Sequence, residues 1–481
     1  MLRKTEFYID GKWTAPVAAR ELEVINPADE QPFAVISLGA QADVDKAVAA
    51  ARRAFPAWSR TSREERVEAL ERLLEAYNAR MDDMAQAISD EMGAPIKLAT
   101  ESQASVGAYH IKTFIRTLKN FVFEHPLDER NPNDRIVHEP IGVCGLITPW
   151  NWPMNQVTLK VVPAIAAGCT VVLKPSEIAP LSSIVFAEIV DAAGLPAGVF
   201  NMVNGDGPSV GEAMSRHPDI DMMSFTGSTR AGIAVSKSSA DTVKRVTLEL
   251  GGKSPNLVFA DSDLEAAVVR GLNHCFENTG QSCNAPTRML VERPVYDQAV
   301  EIAGRHTATV KVGNPAEQGD HIGPLVSEAQ FNKVQGLIEI AIKEGARVVA
   351  GGPGRPEGFN RGYYVRPTVF ADVSNDMTIA REEVFGPVLA MIPFETEEEA
   401  IEIANDTPYG LSSYVQTSDP ERARRVARQL RSGMVQMNGA GRGAGSPFGG
   451  YKQSGLGREG GKYGLEDFLE VKAVAGWPAE G

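Results

Sequence analysis

Cys283 is the residue whose setting speaks most directly of covalent chemistry. It closes the run Asn278-Thr279-Gly280-Gln281-Ser282-Cys283, in which Gly280 is a natural helix breaker. A helix expected over residues 263–278 stops there, so Cys283 stands in a loop just past a helix end, where a substrate can reach a thiol. An ordinary thiol, with a pKa of about 8.5, is only a few per cent thiolate at neutral pH. A nucleophilic role therefore calls for a neighbouring base or positive charge. Cys144, Cys169 and Cys275 lie in apolar strand or helix patterns and suit the plainer role of small buried hydrophobes.

A candidate base occurs in Leu248-Glu249-Leu250-Gly251-Gly252-Lys253. Apolar neighbours raise the pKa of a carboxylate towards the range of a general base; the alternative is a solvated glutamate at a strand end. In Thr148-Pro149-Trp150-Asn151-Trp152-Pro153 the Asn151 amide can donate to a developing oxyanion. Trp150 and Trp152 suit either the wall of an apolar pocket or the core. The segment Lys174-Pro175-Ser176-Glu177 follows another expected strand, and a Lys and a Glu at a strand's carboxyl end suit ribose hydroxyls. Phe225-Thr226-Gly227-Ser228-Thr229-Arg230-Ala231-Gly232 has a GxxxxG spacing, not GxGxxG. Strand, glycine and helix N-terminus in that order can bind phosphate. Taken singly, each of these signals is weak.

The elements that must position these groups alternate. Buried strands are expected at 142–148 and 170–173, a helix at 180–193, and strands at 200–203 and 222–225. That alternation indicates a parallel sheet with crossover helices. A second unit of the same style begins near Gly252 and runs to Gln436. Residues 62–93 form the clearest helical stretch: Val67, Leu70, Leu74, Tyr77, Met81, Met84 and Ile88 share one face. Ser62 and Glu65 have capping-box spacing, and Gly93 is a C-terminal stop. Two strand-like segments, 131–139 and 465–474, fit neither unit and suggest a small shared sheet.

The 481 residues suit about three domains. The chain is 43% hydrophobic and 23% charged, with a net charge of −14, a globular composition. Its acidity speaks against a nucleic-acid partner. The first ten residues, MLRKTEFYID, lack an apolar signal-peptide core. The apolar-leaning run 161–173 is too short to cross a bilayer, so no membrane association is expected. Four cysteines make no disulfide framework and point to a reducing compartment, most simply the cytoplasm. No Cys/His cluster suggests a metal.

In this order and at these spacings, the segments resemble the aldehyde dehydrogenase superfamily. The resemblance extends to Glu382-Glu383-Val384-Phe385-Gly386-Pro387, to Pro447-Phe448-Gly449-Gly450-Tyr451-Lys452 and to Ser454-Gly455-Leu456-Gly457-Arg458-Glu459. It covers residues 7–474 and shows no departure at the positions named.

The resemblance implies an α/β fold: a Rossmann-like parallel-sheet cofactor domain (1–120 and 141–251), an α/β catalytic domain (252–447) and a small oligomerisation sheet (121–140 and 465–481). It implies Cys283 as nucleophile, Glu249 as general base, and Asn151 with the Cys283 backbone N–H as oxyanion hole. Lys174 and Glu177 would bind the adenosine ribose of NAD, with NADP a possible substitute. Gly227 and Ser228 would lie near the pyrophosphate, Glu383 and Phe385 near the nicotinamide riboside, and Trp150 beside the cofactor. The expected reaction oxidises an aldehyde to an acid through a thioester, in a homo-dimer or homo-tetramer. A cysteine hydrolase would use Cys283, Glu249 and Asn151 but not the cofactor segments, and a CoA-acylating relative would have less use for Glu249. The resemblance also puts the loop 438–446, which contains Arg442, at the substrate entrance, with Trp152 and Phe448 as apolar surfaces.

Overall fold

The computed structural model describes residues 1–478; the last three residues of the expected 465–481 segment lie outside the described residues. An eight-stranded sheet runs in the order Gly455–Leu456, Arg245–Glu249, Met222–Thr226, Val143–Ile147, Thr170–Lys174, Phe200–Met202, Phe7–Ile9, Lys12–Thr14. Its five middle strands are parallel. Four of the five are buried along their whole length, which is why they read as unbroken apolar runs. The helices Pro153–Ala167 and Leu181–Ala192 cross over between them.

The order of these strands fixes where a ligand can sit. From Val143–Ile147 the chain moves one way to Thr170–Lys174 and Phe200–Met202. It then returns to the other side for Met222–Thr226 and Arg245–Glu249. Open α/β sheets bind ligands in the crevice beyond the carboxyl ends of their strands at such a reversal. Here the reversal separates Ile147 from Thr226, so the crevice opens between the Trp150–Asn151 turn and Gly227–Ser228.

A seven-stranded sheet follows, with Val388–Phe394, Arg288–Glu292 and Pro255–Val258 at its centre, all parallel. A third sheet pairs Leu469–Val474 with Asn131–Pro140, antiparallel from Leu469↔Pro140 to Val474↔Arg135, and adds Glu124–Asp128. The two segments that fitted neither unit therefore do pair. Residues 465–466, however, close the helix Gly461–Glu466 and are not strand.

The expected helix 62–93 is two helices, Arg63–Ala79 and Met81–Met92. The Ser62/Glu65 capping box and the left-handed Gly93 cap bound the pair. The break falls at Arg80 (φ −117°, ψ 19°), whose guanidinium is held by Asp83 and, at 3.1 Å, by Glu188. An apolar stripe continues across such a break because each helix keeps its own 3.6-residue period in phase. The helix before Cys283 ends at Phe276, earlier than expected, for a reason that lies in the site.

Candidate active site

Asn278 and Thr279 are both left-handed, at φ 52° and 57°. Two consecutive non-glycine residues in that region are costly and persist only where the surroundings hold them. The Asn278 amide donates to the Asn151 carbonyl at 2.8 Å and accepts from Gln103 at 2.9 Å. The Thr279 hydroxyl donates to the Gly323 carbonyl at 3.0 Å. The Gln281 side chain accepts the Val326 N–H at 2.9 Å. Next to Cys283, Trp152 Nε1 donates to Ser282 Oγ at 2.8 Å, and Tyr414 Oη donates to the Asn284 carbonyl at 2.8 Å. Segments distant in sequence thus clamp the Cys283 turn.

Cys283 is half-buried and the other three cysteines are fully buried. It opens onto a cavity of ≈ 210 Å³ that is also lined by Trp150, Asn151, Gly227, Ser228, Glu249, Glu383 and Phe385. Eight of the ten expected site residues therefore meet at one cavity. Lys174 and Glu177 are not in its lining. They stand at the carboxyl end of the adjoining strand, where the Lys174 carbonyl accepts the Thr148 N–H at 3.1 Å.

The Asn151 amide nitrogen donates to the Gln281 carbonyl at 2.9 Å, which fixes the side chain and leaves its second N–H available. The glycines after Glu249 are explained by contact. A Cβ on Gly251 would collide with the Glu383 carboxylate, and one on Gly252 with the Cys283 carbonyl. The Gly252 N–H donates to Glu383 at 3.0 Å. The pair thus brings Glu249, Glu383 and Cys283 into one cluster.

Electrostatics set the resting state. Burial pushes the Cys283 thiol well up, and the carboxylates of Glu249, Glu383 and Glu459 add to the effect, so the resting sulfur is protonated. Burial also lifts Glu249 well above the usual carboxylate range. Glu459 reinforces the rise, while Lys160 and Arg458 oppose it. Neither Glu249 oxygen has a protein hydrogen-bond partner. Burial raises Glu383 too, against the lowering Gly252 N–H.

Behind Glu249 lies an ion pair that sequence reasoning missed. Lys160, 1% exposed, donates to Glu459 at 2.5 Å and to Ser224 Oγ at 3.2 Å. A signal existed: Lys160 is the one charge in the apolar helix Pro153–Ala167, and a buried lysine requires a partner. Gln103 carried no signal at all.

The crevice fits a dinucleotide. Ser228 caps the helix Thr229–Ser239, accepting the Ala231 N–H at 3.3 Å, so its N-terminal amides face the strand-end crevice as an anion site. Phe385 (φ 58°) meets the Trp150 ring edge-on at 5.4 Å. Lys174 Nζ pairs with Glu177 at 3.2 Å. Burial lowers the Lys174 pKa, and Glu177 works against that.

Comparison with known proteins agrees with this geometry. The model of the aldehyde dehydrogenase family matches residues 13–474. A 3-succinoylsemialdehyde-pyridine dehydrogenase of a Pseudomonas species is 54% identical, over 98% of this chain and 98% of its own. The crystal structure of an aldehyde dehydrogenase from Bartonella henselae superposes with a TM-score of 0.98 at 55% identity, covering 99% of this chain and 100% of that one. A variant of aldehyde dehydrogenase C from Pseudomonas syringae, complexed with NAD+ and octanal, superposes at 0.97 with 51% identity, covering 99% and 98%. The chain belongs to the aldehyde dehydrogenase family.

Proposed function

We propose that this chain oxidises an aldehyde to a carboxylic acid through a thioester on Cys283, with Glu249 as general base. The observation that carries the reading is the convergence of Cys283, Glu249 and Asn151 with Trp150, Gly227, Ser228, Glu383 and Phe385 on one cavity. The Ser228 helix end would hold the pyrophosphate of the dinucleotide, Lys174, Glu177 and Glu383 would hold its riboses, and Phe385 and Trp150 would stand beside it. What NAD supplies when bound is hydride acceptance.

Cys283 releases its proton to water, and the sulfur forms a C–S bond to the aldehyde carbon as the C=O π pair moves onto oxygen. The second N–H of Asn151 and the Cys283 backbone N–H donate to the oxyanion. As the oxyanion collapses, the carbon loses hydride and becomes the thioester. Glu249, kept basic enough by burial, takes a proton from water; the resulting hydroxide attacks the thioester carbon, the C–S bond breaks, and the leaving thiolate takes the proton back from Glu249 as the acid departs. Both unpartnered oxygens of Glu249 favour that role, because neither is committed to the fold.

The reading extends to a cytoplasmic location, consistent with four free cysteines. Among the described residues no helix is long and apolar enough to cross a membrane. It also extends to a homo-oligomer assembled through the Leu469–Val474 sheet, and to the division into cofactor units 1–120 and 141–251 and a catalytic unit 252–447. Cys283→Ala is the direct test. NADH formation from aldehydes should vanish while NAD binding, measured by calorimetry, stays within about twofold, because the lost interaction is covalent and not part of cofactor binding. Turnover retained by the variant removes the nucleophile.

A further inference from the structure

The oxyanion donor and the nucleophile come from different sheets. Asn151 follows the strand Val143–Ile147 of the eight-stranded sheet, and Cys283 precedes the strand Arg288–Glu292 of the seven-stranded one. A hydrogen bond to a developing oxyanion works only if its donor is correctly placed over the attacked carbon, and a misplacement of about 1 Å costs on the order of 10²-fold. Some contact must therefore set the distance between the two.

Asn278 spans that gap. It is 3% exposed. Its Nδ2 donates to the Asn151 carbonyl at 2.8 Å and to the Gln281 carbonyl at 3.3 Å, one contact on each side. The Gln281 carbonyl, two residues before Cys283, also accepts the Asn151 side chain at 2.9 Å. One oxygen is thus shared by the oxyanion donor and by Asn278. The Asn278 carbonyl in turn accepts the Gln281 backbone N–H and the Gln281 side-chain amide, each at 3.1 Å. Asparagine tolerates the left-handed backbone at φ 52° better than most residues. Glycine would tolerate it too but has no amide to reach both carbonyls.

A further segment orients that amide. Gln103 Nε2 donates to Asn278 Oδ1 at 2.9 Å. With Oδ1 engaged, the N–H groups of Asn278 must face the two carbonyls. Gln103 stands in Ala99–Ala104, a widened helical turn with i→i+5 bonds between Ile96–Leu98 and Ser105–Asn120. Such turns are rare and often occur at functional sites.

We propose that Asn278 is a positioning residue for the oxyanion hole: it sets the place of Asn151 relative to Cys283, and Gln103 sets the orientation of Asn278. This rests on the dehydrogenase reading above and deepens it. Asn278 is not part of the wall of the Cys283 cavity, so it acts through Asn151.

The test uses Asn278→Gly, which keeps the left-handed backbone and removes the amide, and Gln103→Met, which leaves Asn278 in place but frees its orientation. Two reactions of Cys283 are compared. Alkylation by iodoacetamide forms a C–S bond as the C–I bond breaks and builds no oxyanion, whereas the first turnover of NADH from an aldehyde requires one. Asn278→Gly should slow the first turnover about 10–100-fold, while alkylation stays within about threefold and NAD affinity within about twofold. Gln103→Met should show a smaller loss of the same kind. Asn151→Ala should by itself cost about 10²–10³-fold. Combined with it, either variant should add less than about threefold, because residues that act as a unit are not additive. A purely structural role would slow both reactions alike. The proposal is overturned by an unchanged first turnover, by alkylation that slows in step with it, or by losses that multiply in the double variants. If Asn278→Gly does not fold, Gln103→Met decides by the same criteria. A native protein that makes no NADH from any aldehyde removes the dehydrogenase reading, and the proposal falls with it.

Discussion

Replacing Glu249 with glutamine separates what this carboxylate does for the reaction from what it costs the fold. The amide has nearly the same shape but cannot take a proton, so thioester hydrolysis should slow by about 10²–10⁴-fold, or about 3–5 kcal/mol of barrier. The hydride step does not use Glu249, so rapid mixing should show one NADH per site followed by a slow phase. The native residue is buried with both oxygens unpaired and sits near the Glu459 charge. Its pKa is higher folded than unfolded, so between the two values only the unfolded chain has released the proton, and stability falls as pH rises. Glutamine removes that penalty. The variant should match the native protein near pH 4 and become the more stable of the two as pH rises through the raised folded value. Denaturant midpoints across a pH series measure this directly. The reasoning fails if steady-state turnover is unchanged, or if the variant is less stable than the native protein at alkaline pH.

Other consequences can be measured separately. Glu177→Gln should narrow a preference for NAD over NADP by about 10-fold or more, the scale of a charged hydrogen bond; native kcat/KM values equal for both cofactors would show that Glu177 does not discriminate. Lys160→Met should cost about 3–5 kcal/mol by leaving Glu459 buried and unpaired. It also removes a cation that lowers Glu249, so the pH at which turnover rises should move up, and an unmoved profile contradicts the link. Light scattering should give a mass well above the 51.7 kDa of one chain, because Leu469–Val474 is an edge strand with Val471 65% exposed. A stable monomer refutes it.

The sequence exposed those parts of the molecule that depend on local pattern. Buried parallel strands announce themselves as apolar runs, and their carboxyl ends then mark Asn151, Lys174 and Gly227 as candidates. The capping box at Ser62 was legible because its two residues lie three apart. The break at Arg80 was not, since the apolar stripe runs straight through it. The early end of the helix at Phe276 depends on Gln103 and Gly323, far away in the chain, and no local pattern encodes them. Nothing in the sequence told why two glycines follow Leu250; they are there to admit Glu383 and the Cys283 carbonyl. The role of Glu459 was hidden because its partner Lys160 is 299 residues distant.

That separation has a consequence for how the enzyme is made. A chain emerging from the ribosome can assemble its early segments first, so the parallel strands from Val143 to Glu249 can form before Gly455–Leu456 and Glu459 exist. Until then the edge strand Arg245–Glu249 lacks its neighbour Gly455–Leu456, and Lys160 is an unmatched buried charge. The surroundings of Glu249 are therefore finished by a segment made well after Glu249 itself. An incomplete product would carry an open sheet edge and an uncompensated lysine, faults that open the fold locally and expose it to proteolysis. One ion pair thus both closes the sheet's last edge onto its centre and tunes the charge of Glu249.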